Sequence, residues 1–145
     1  MENSDLQVDF ISDSLKDKRV DVVVSGSIGA VESVRFIRSL RRLGSSVYAI
    51  LSQGGSQFTT TTALEWASAN KVITDFEGLA SHIATGDACV VAPSSANMLA
   101  KVARGITDCP ASALIASYLG AKKPVLIVPN MHNSLLKSPI VGQNL

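Results

Sequence analysis

Four short polar segments, each directly after an apolar run, hold the residues of this chain that could do chemistry. Val24-Ser25 runs into Gly26-Ser27-Ile28-Gly29-Ala30, and Ile50-Leu51 runs into Ser52-Gln53-Gly54-Gly55. Val90-Val91-Ala92-Pro93 is followed by Ser94-Ser95-Ala96-Asn97, and Val125-Leu126-Ile127-Val128-Pro129 by Asn130-Met131-His132-Asn133. If the apolar runs are parallel strands, their carboxyl ends share one crevice, which is where ligands bind in open α/β sheets. The first segment has glycines that let backbone approach a ligand, and the helix start after it offers free amides to an anion. It is not the dinucleotide fingerprint, because Val31 and Glu32 supply no third glycine. A ligand here would bring a single phosphate rather than a pyrophosphate; a tight βα turn with no ligand is the equal alternative. Ser52, taken singly, reads as a helix cap. The chain has two histidines, His82 in Leu79-Ala80-Ser81-His82-Ile83 and His132 after the fourth run, and imidazole is a side-chain type suited to proton transfer. Each could serve as a general base or equally sit as a surface or capping side chain.

Composition narrows what could position these residues. The chain has 145 residues, 46% of them hydrophobic and 17% charged, with a formal net charge of +1. That suits one domain with a well-covered sheet. The charge is dispersed and leaves no footprint for nucleic acid. Arg35, Arg38, Arg41 and Arg42 are the densest basic cluster and read as a solvated helix face. Cys89 and Cys109 make neither a disulfide framework nor a zinc motif, and Cys89, inside a β run, reads as an inert core thiol. No apolar run is long enough to span a membrane and no leader opens the chain, so a cytoplasmic protein is expected.

The elements alternate. Residues 1–14 are polar and read as a flexible arm. Val20–Ser25 is a strand covered on both faces. Val31, Val34, Ile37, Leu40 and Leu43 recur at helical spacing, with Gly44 as the stop. Val47–Leu51 is the second strand, Phe58–Ala67 a helix despite its threonines, and Val72-Ile73 at most a short strand. Ala88–Ala92 is the next strand, followed by a short helix over Met98–Ala103. A helix over 111–119 opens at Pro110, and Val125–Val128 is the last strand. This alternation predicts βαβ units with right-handed crossovers, hence an α/β, Rossmann-like (flavodoxin-like) three-layer domain with a parallel sheet.

Five motifs in order along the chain carry a resemblance. They are the turn Gly26-Ser27-Ile28-Gly29-Ala30, Ser52 followed by Phe58, and His82-Ile83. Pro93-Ser94-Ser95-Ala96-Asn97-Met98 with Lys101 and Gly105 comes next, and Pro129-Asn130-Met131-His132 last. Together they resemble the homo-oligomeric flavin-containing cysteine decarboxylases over residues 15–145. His132, Ala30-Val31-Glu32, Leu64-Glu65-Trp66-Ala67 and Val72-Ile73-Thr74 are similar to the archaeal bifunctional coenzyme A biosynthesis branch.

The resemblance implies noncovalent FMN, a homotrimer or dodecamer, and decarboxylation of phosphopantothenoylcysteine to phosphopantetheine. It implies FMN-binding roles for Gly26, Ser27, Ile28, Ser52, Ser95, Ala96, Asn97, Met98 and Asn130. His82 would be the base, Asn97 a substrate or flavin anchor, and His132 a partner for the substrate carboxylate. Three departures accompany it. His82 precedes Pro93 by eleven residues, a shorter interval than the family's, and His132 replaces an asparagine. The sequence given ends at Leu145, where the family continues into a strand and a cysteine-bearing substrate flap. The alternatives are an FMN-binding carrier or reductase without decarboxylase activity, and a flavin prenyltransferase.

Overall fold

A computed structural model describes residues 4–145. Strands β1 (Arg19–Val24), β2 (Ser46–Leu51), β3 (Ala88–Ser94) and β4 (Val125–Pro129) form one sheet in the order β2-β1-β3-β4. All its pairings are parallel. The chain steps from β1 out to β2 and then back across to β3 on the other side of β1. The order therefore reverses at the carboxyl ends of β1 and β3, the switch point where such sheets open a crevice. The α/β fold with a parallel sheet is as expected.

The helices are α1 (Ser33–Arg42), α2 (Thr61–Ser68), α3 (Ala96–Arg104), α4 (Pro110–Gly120), α5 (Asn133–Leu136) and α6 (Pro139–Gly142). Alternation along β1 sends Val22 and Val24 to one face and Val23 to the other. Val22 and Val24 pack with Ala49, Leu51, Ile37 and Leu64 beneath α1 and α2. Val23 joins Ile50, Cys89 and Val91 against Met98, Leu114, Ile115 and Tyr118 of α3 and α4. These are three layers with a core on each side of the sheet.

Several elements differ locally from the expectation, each for a stated reason. The helix expected from Phe58 begins only at Thr61, because Thr60 is extended and its Oγ1 accepts from Ala63 N at 3.1 Å as the N-cap. Likewise Ser95 caps α3 and moves its start forward to Ala96. Val72-Ile73 contributes one bridge, Ile73 to Ile50, rather than a strand. The two short helices α5 and α6 follow β4, where no element was anticipated.

The arginine face of α1 is not simply solvated. Arg38, Arg41 and Arg42 donate to the carbonyls of Gln7, Leu6 and Asp9 at 3.1, 2.7 and 3.3 Å. Arg38 also lies 4.2 Å over the Trp66 ring. Of the arm expected over residues 1–14, Met1–Asn3 fall outside the described residues. From Ser4 to Ile11 the arm lies along α1, held by these guanidinium groups and by Ile11 N donating to Arg42 O at 2.7 Å.

Candidate functional site

The site is built where β1 and β3 end. Ser25, 1% exposed, donates its Oγ to Pro93 O at 2.7 Å and accepts from Ser95 N at 2.8 Å. One buried hydroxyl thus ties the end of β1 to the last residues of β3, where the Ala92-Pro93 peptide bond is cis. Beyond Ser25 the turn after β1 meets the turn after β2. A Cβ on Gly26 would lie 2.8 Å from the carbonyl carbon of Gly54, so only glycine permits this backbone approach. Ser52 is not itself a helix cap: its Oγ accepts from Gly55 N at 3.0 Å, and the N-cap of the short 3-10 turn over Gly55–Gln57 is Gly54.

The end of β4 closes on the same turn. Asn130 Oδ1 accepts from Ser27 Oγ at 2.9 Å and from Gly29 N at 3.0 Å, while Asn130 N donates to Ser94 O at 2.9 Å. The Gly29 amide, expected to face an anion, therefore meets an uncharged amide oxygen of the same chain.

These contacts frame a cleft of about 460 Å³ lined by Gly26, Ser52, Ser95, Ala96, Asn97 and Met98. Six of the sequence-expected residues thus share one wall. Asn97 stands at the start of α3 with its side chain exposed, presenting both a donor and an acceptor. Lys101 and Asp108 stand on the rim, paired at 2.9 Å. That hydrogen bond raises the Lys101 pKa and lowers that of Asp108. Cys109, N-cap of α4, faces the cleft with its Sγ 3.2 Å from Ser112 Oγ. A second hollow of about 670 Å³ shares Ser52, Gln53, Asp108 and Cys109 with the cleft and adds Thr59, Thr60, Thr74 and Phe76.

The other expected residues lie apart. Ser27 and Asn130 form their own cluster beside the cleft, and Ile28 is 66% exposed. His82 lies in the connection between α2 and β3, its ring edge-on to Phe76 at 5.2 Å, outside the lining of either hollow. His132 caps α5, where its Nδ1 accepts from Ser134 N at 3.2 Å and lies 2.8 Å from Ser134 Oγ. The accepting role of Nδ1 assigns the ring proton to Nε2 in the neutral form. Asn97, His82 and His132 are therefore not gathered at one point of this chain.

Sequence reasoning gave no site role to Ser25, Gly54, Asp108 or Cys109. Ser25 had a signal, a hydroxyl directly after the apolar run Val22-Val23-Val24. Asp108 and Cys109 had none, because their approach to Ser52 is made by the packing of α4 against the sheet. Cys89, by contrast, is buried as expected, and desolvation, reinforced by Asp21, pushes its thiol up to about 12.

Similarity to known proteins agrees with this architecture. The chain is 33% identical over 141 residues to the coenzyme A biosynthesis bifunctional protein CoaBC of Thermococcus kodakarensis, covering 92% of this chain and 35% of the relative. It is 30% identical over 127 residues to CoaBC of Methanocaldococcus jannaschii, covering 86% and 31%. The chain thus spans about a third of the length of these relatives. Among solved structures, the FMN-dependent cysteine decarboxylase SpaF superposes with a TM-score of 0.81 at 27% identity, covering 90% of this chain and 78% of that one. For TvaF, from thioviridamide biosynthesis, the TM-score is 0.79 at 29% identity, covering 88% and 82%. The family model described as Flavoprotein matches residues 11–145, the whole sheet and every strand end that lines the cleft; the chain belongs to the Flavoprotein family.

Proposed function

We propose that this chain binds FMN at the switch-point cleft and decarboxylates phosphopantothenoylcysteine to phosphopantetheine in cytoplasmic coenzyme A biosynthesis. The observation that carries the reading is the placement of Asn97 in a cleft built from three strand ends, in a chain similar to CoaBC proteins over most of its length. The cleft suits such a cofactor. Its volume lies within the range of small-molecule sites. Its lining mixes the hydroxyls of Ser52 and Ser95 and the amide of Asn97 with the apolar Met98 and Leu135, as a ring with polar edges requires.

FMN, when bound, would supply a reversible two-electron store: oxidation at the carbon bearing sulfur would ease loss of carbon dioxide from the neighbouring carbon, and return of the same two electrons would leave the net decarboxylation redox-neutral. The residues do the rest. Ser52 and the Gly26-Ser27-Ile28 turn receive the phosphate end, and Asn130 keeps that turn in shape through Ser27 and Gly29. Ser95, Ala96 and Met98 form the wall against which the ring system rests. Asn97 orients the substrate through its paired donor and acceptor, His82 takes the substrate proton, and His132 offers its Nε2 proton to the substrate carboxylate.

Assembly into a homotrimer or dodecamer belongs to this reading. Leu126, Val128, Leu135 and Ile140 are all exposed and give neighbouring chains an apolar surface to cover.

The test is to add FMN to the purified chain, then supply phosphopantothenoylcysteine and follow carbon dioxide release. Bound FMN together with carbon dioxide is the expected result, and Asn97→Ala abolishes release while the fold is retained. Protein that takes up no FMN overturns the reading. The position of His82 outside the cleft lining favours one second reading, an FMN carrier that does not decarboxylate. FMN uptake with no carbon dioxide release decides for it.

A further inference from the structure

The segment carrying His82 belongs to neither helix nor strand, yet it is pinned on both sides of the histidine. Upstream, Glu77 is the hub. Its Oε1 accepts from Lys71 Nζ at 3.1 Å and its Oε2 from Ser81 Oγ at 2.9 Å. Two successive backbone turns follow, Ala80 N to Glu77 O and Ile83 N to Ala80 O, each 3.1 Å.

Downstream, α4 and the turn after it hold the chain. Ala84 N donates to Ser117 Oγ at 2.9 Å and Gly86 N to Tyr118 Oη at 3.1 Å. Lys123 Nζ donates to both carbonyls of the same residues, Ala84 O at 3.1 Å and Gly86 O at 2.8 Å. Tyr118 is itself fully buried and donates to Asp21 Oδ2 at 2.7 Å. Ala84 therefore has its amide and its carbonyl both held by side chains from α4 and its end, two residues from His82.

An ordinary solvated connection has no use for this. Ordering a lysine side chain costs rotamer entropy, and an ammonium that bridges two carbonyls restricts both residues at once. The only side chain in the pinned stretch from Ser81 to Gly86 with acid–base capacity near neutral pH is the imidazole. We infer that Lys123, with Ser117, is a positioning residue for the decarboxylation: it fixes the backbone at Ala84 and Gly86 so that His82 is presented in one orientation against Phe76. The inference rests on the reading of His82 as the base.

The test uses the full chain with FMN bound and compares Lys123→Met, Lys123→Arg, Ser117→Ala and His82→Asn. Lys123→Met keeps the aliphatic stem and deletes both hydrogen bonds. It is expected to weaken the nuclear Overhauser contact between the Phe76 and His82 rings. Displacement of a reacting group by about an ångström costs up to about a hundred-fold, so kcat should fall about ten- to a hundred-fold with KM and FMN affinity unchanged. Lys123→Arg, which can still donate to both carbonyls, should restore most of the loss. Should Lys123→Met fail to fold, Ser117→Ala deletes a single hydroxyl and must shift the same contact and kcat in the same direction. Unchanged kcat in Lys123→Met and Ser117→Ala, with His82→Asn inactive, overturns the inference and leaves the base reading standing. An active His82→Asn removes the base reading and the inference together, and is recognised in that variant alone.

Discussion

At the scale of single residues, the most consequential polar group of the core is the Tyr118 hydroxyl. It donates to Asp21 and accepts from Gly86 N, so one buried oxygen serves β1, α4 and the connection before β3. Tyr118→Phe leaves Oδ2 of Asp21, a residue 1% exposed, without its donor, while Oδ1 keeps the Arg19 contact at 3.0 Å. A loss of about 1–3 kcal/mol in urea unfolding is expected; a change within a few tenths would mean Asp21 finds another donor. Tyr118 and Cys89 also set the alkaline limit. Burial raises both pKa values in the folded state, so both groups stay neutral while their unfolded counterparts ionise. The stability tied to Cys89 is whole below its ordinary value of 9.0 and declines as pH rises toward about 12. Unfolding midpoints should therefore fall steadily above that ordinary value, and a flat profile would refute the assignment. At neutral pH, iodoacetamide should label Cys109, which is partly exposed, and spare Cys89.

At the scale of elements, the site depends on turns held together by very few groups. Gly26→Ala places a methyl 2.8–3.1 Å from Gly54 backbone, which has no flexible end to yield, so the turns after β1 and β2 must separate. FMN affinity is expected to drop at least about tenfold on the scale of one lost strong contact. Gly142→Ala meets only Leu136 O at 3.6 Å and should leave affinity unchanged. Equal affinities for the two variants in a fluorescence titration would show that the cleft does not use the Gly26 turn. Caps act on stability instead. Ser95→Ala removes the acceptor for Met98 N and should cost about 1 kcal/mol by thermal unfolding. Thr60→Ala should do the same at α2. The two threonine-rich and serine-rich starts were misread by a few residues because hydroxyl side chains compete with helix backbone and favour the cap position.

At the scale of the whole molecule, β4 is an edge strand whose outward face is incompletely covered. Leu126 is 61% exposed and Val128 44%, while β1 in the middle of the sheet is buried along nearly its whole length. An apolar edge of this kind is a liability unless another chain or segment covers it. Light scattering should therefore return a mass above the 15.2 kDa of one chain, and three or twelve times that mass on the proposed homotrimer or dodecamer. Leu126→Lys should lower that mass. A monomer at micromolar concentration would remove the homo-oligomer from the proposed function.

What the sequence determined by itself was the succession of elements and the chemistry gathered at strand ends. Apolar runs of β-branched residues, helical spacing from Val34 to Leu43 and the stop at Gly44 are local signals, and Ile37 at the centre of that spacing is fully buried. The placement of Gly26, Ser52, Ser95 and Asn97 on one cleft follows from them too, since parallel strands bring all carboxyl ends to one edge. What only the tertiary structure decided was which side chains meet. Ser25 reaching Pro93 across 68 positions, and Ser27 reaching Asn130 across 103, depend on the order β2-β1-β3-β4 and on register. The pinning of the His82 segment by Lys123 depends on where α4 ends above the sheet. Periodicity reports which face of an element is buried; it carries no information about the neighbour that covers it, and that neighbour is what sets the position of His82, Asn130 and Cys109 relative to the cleft.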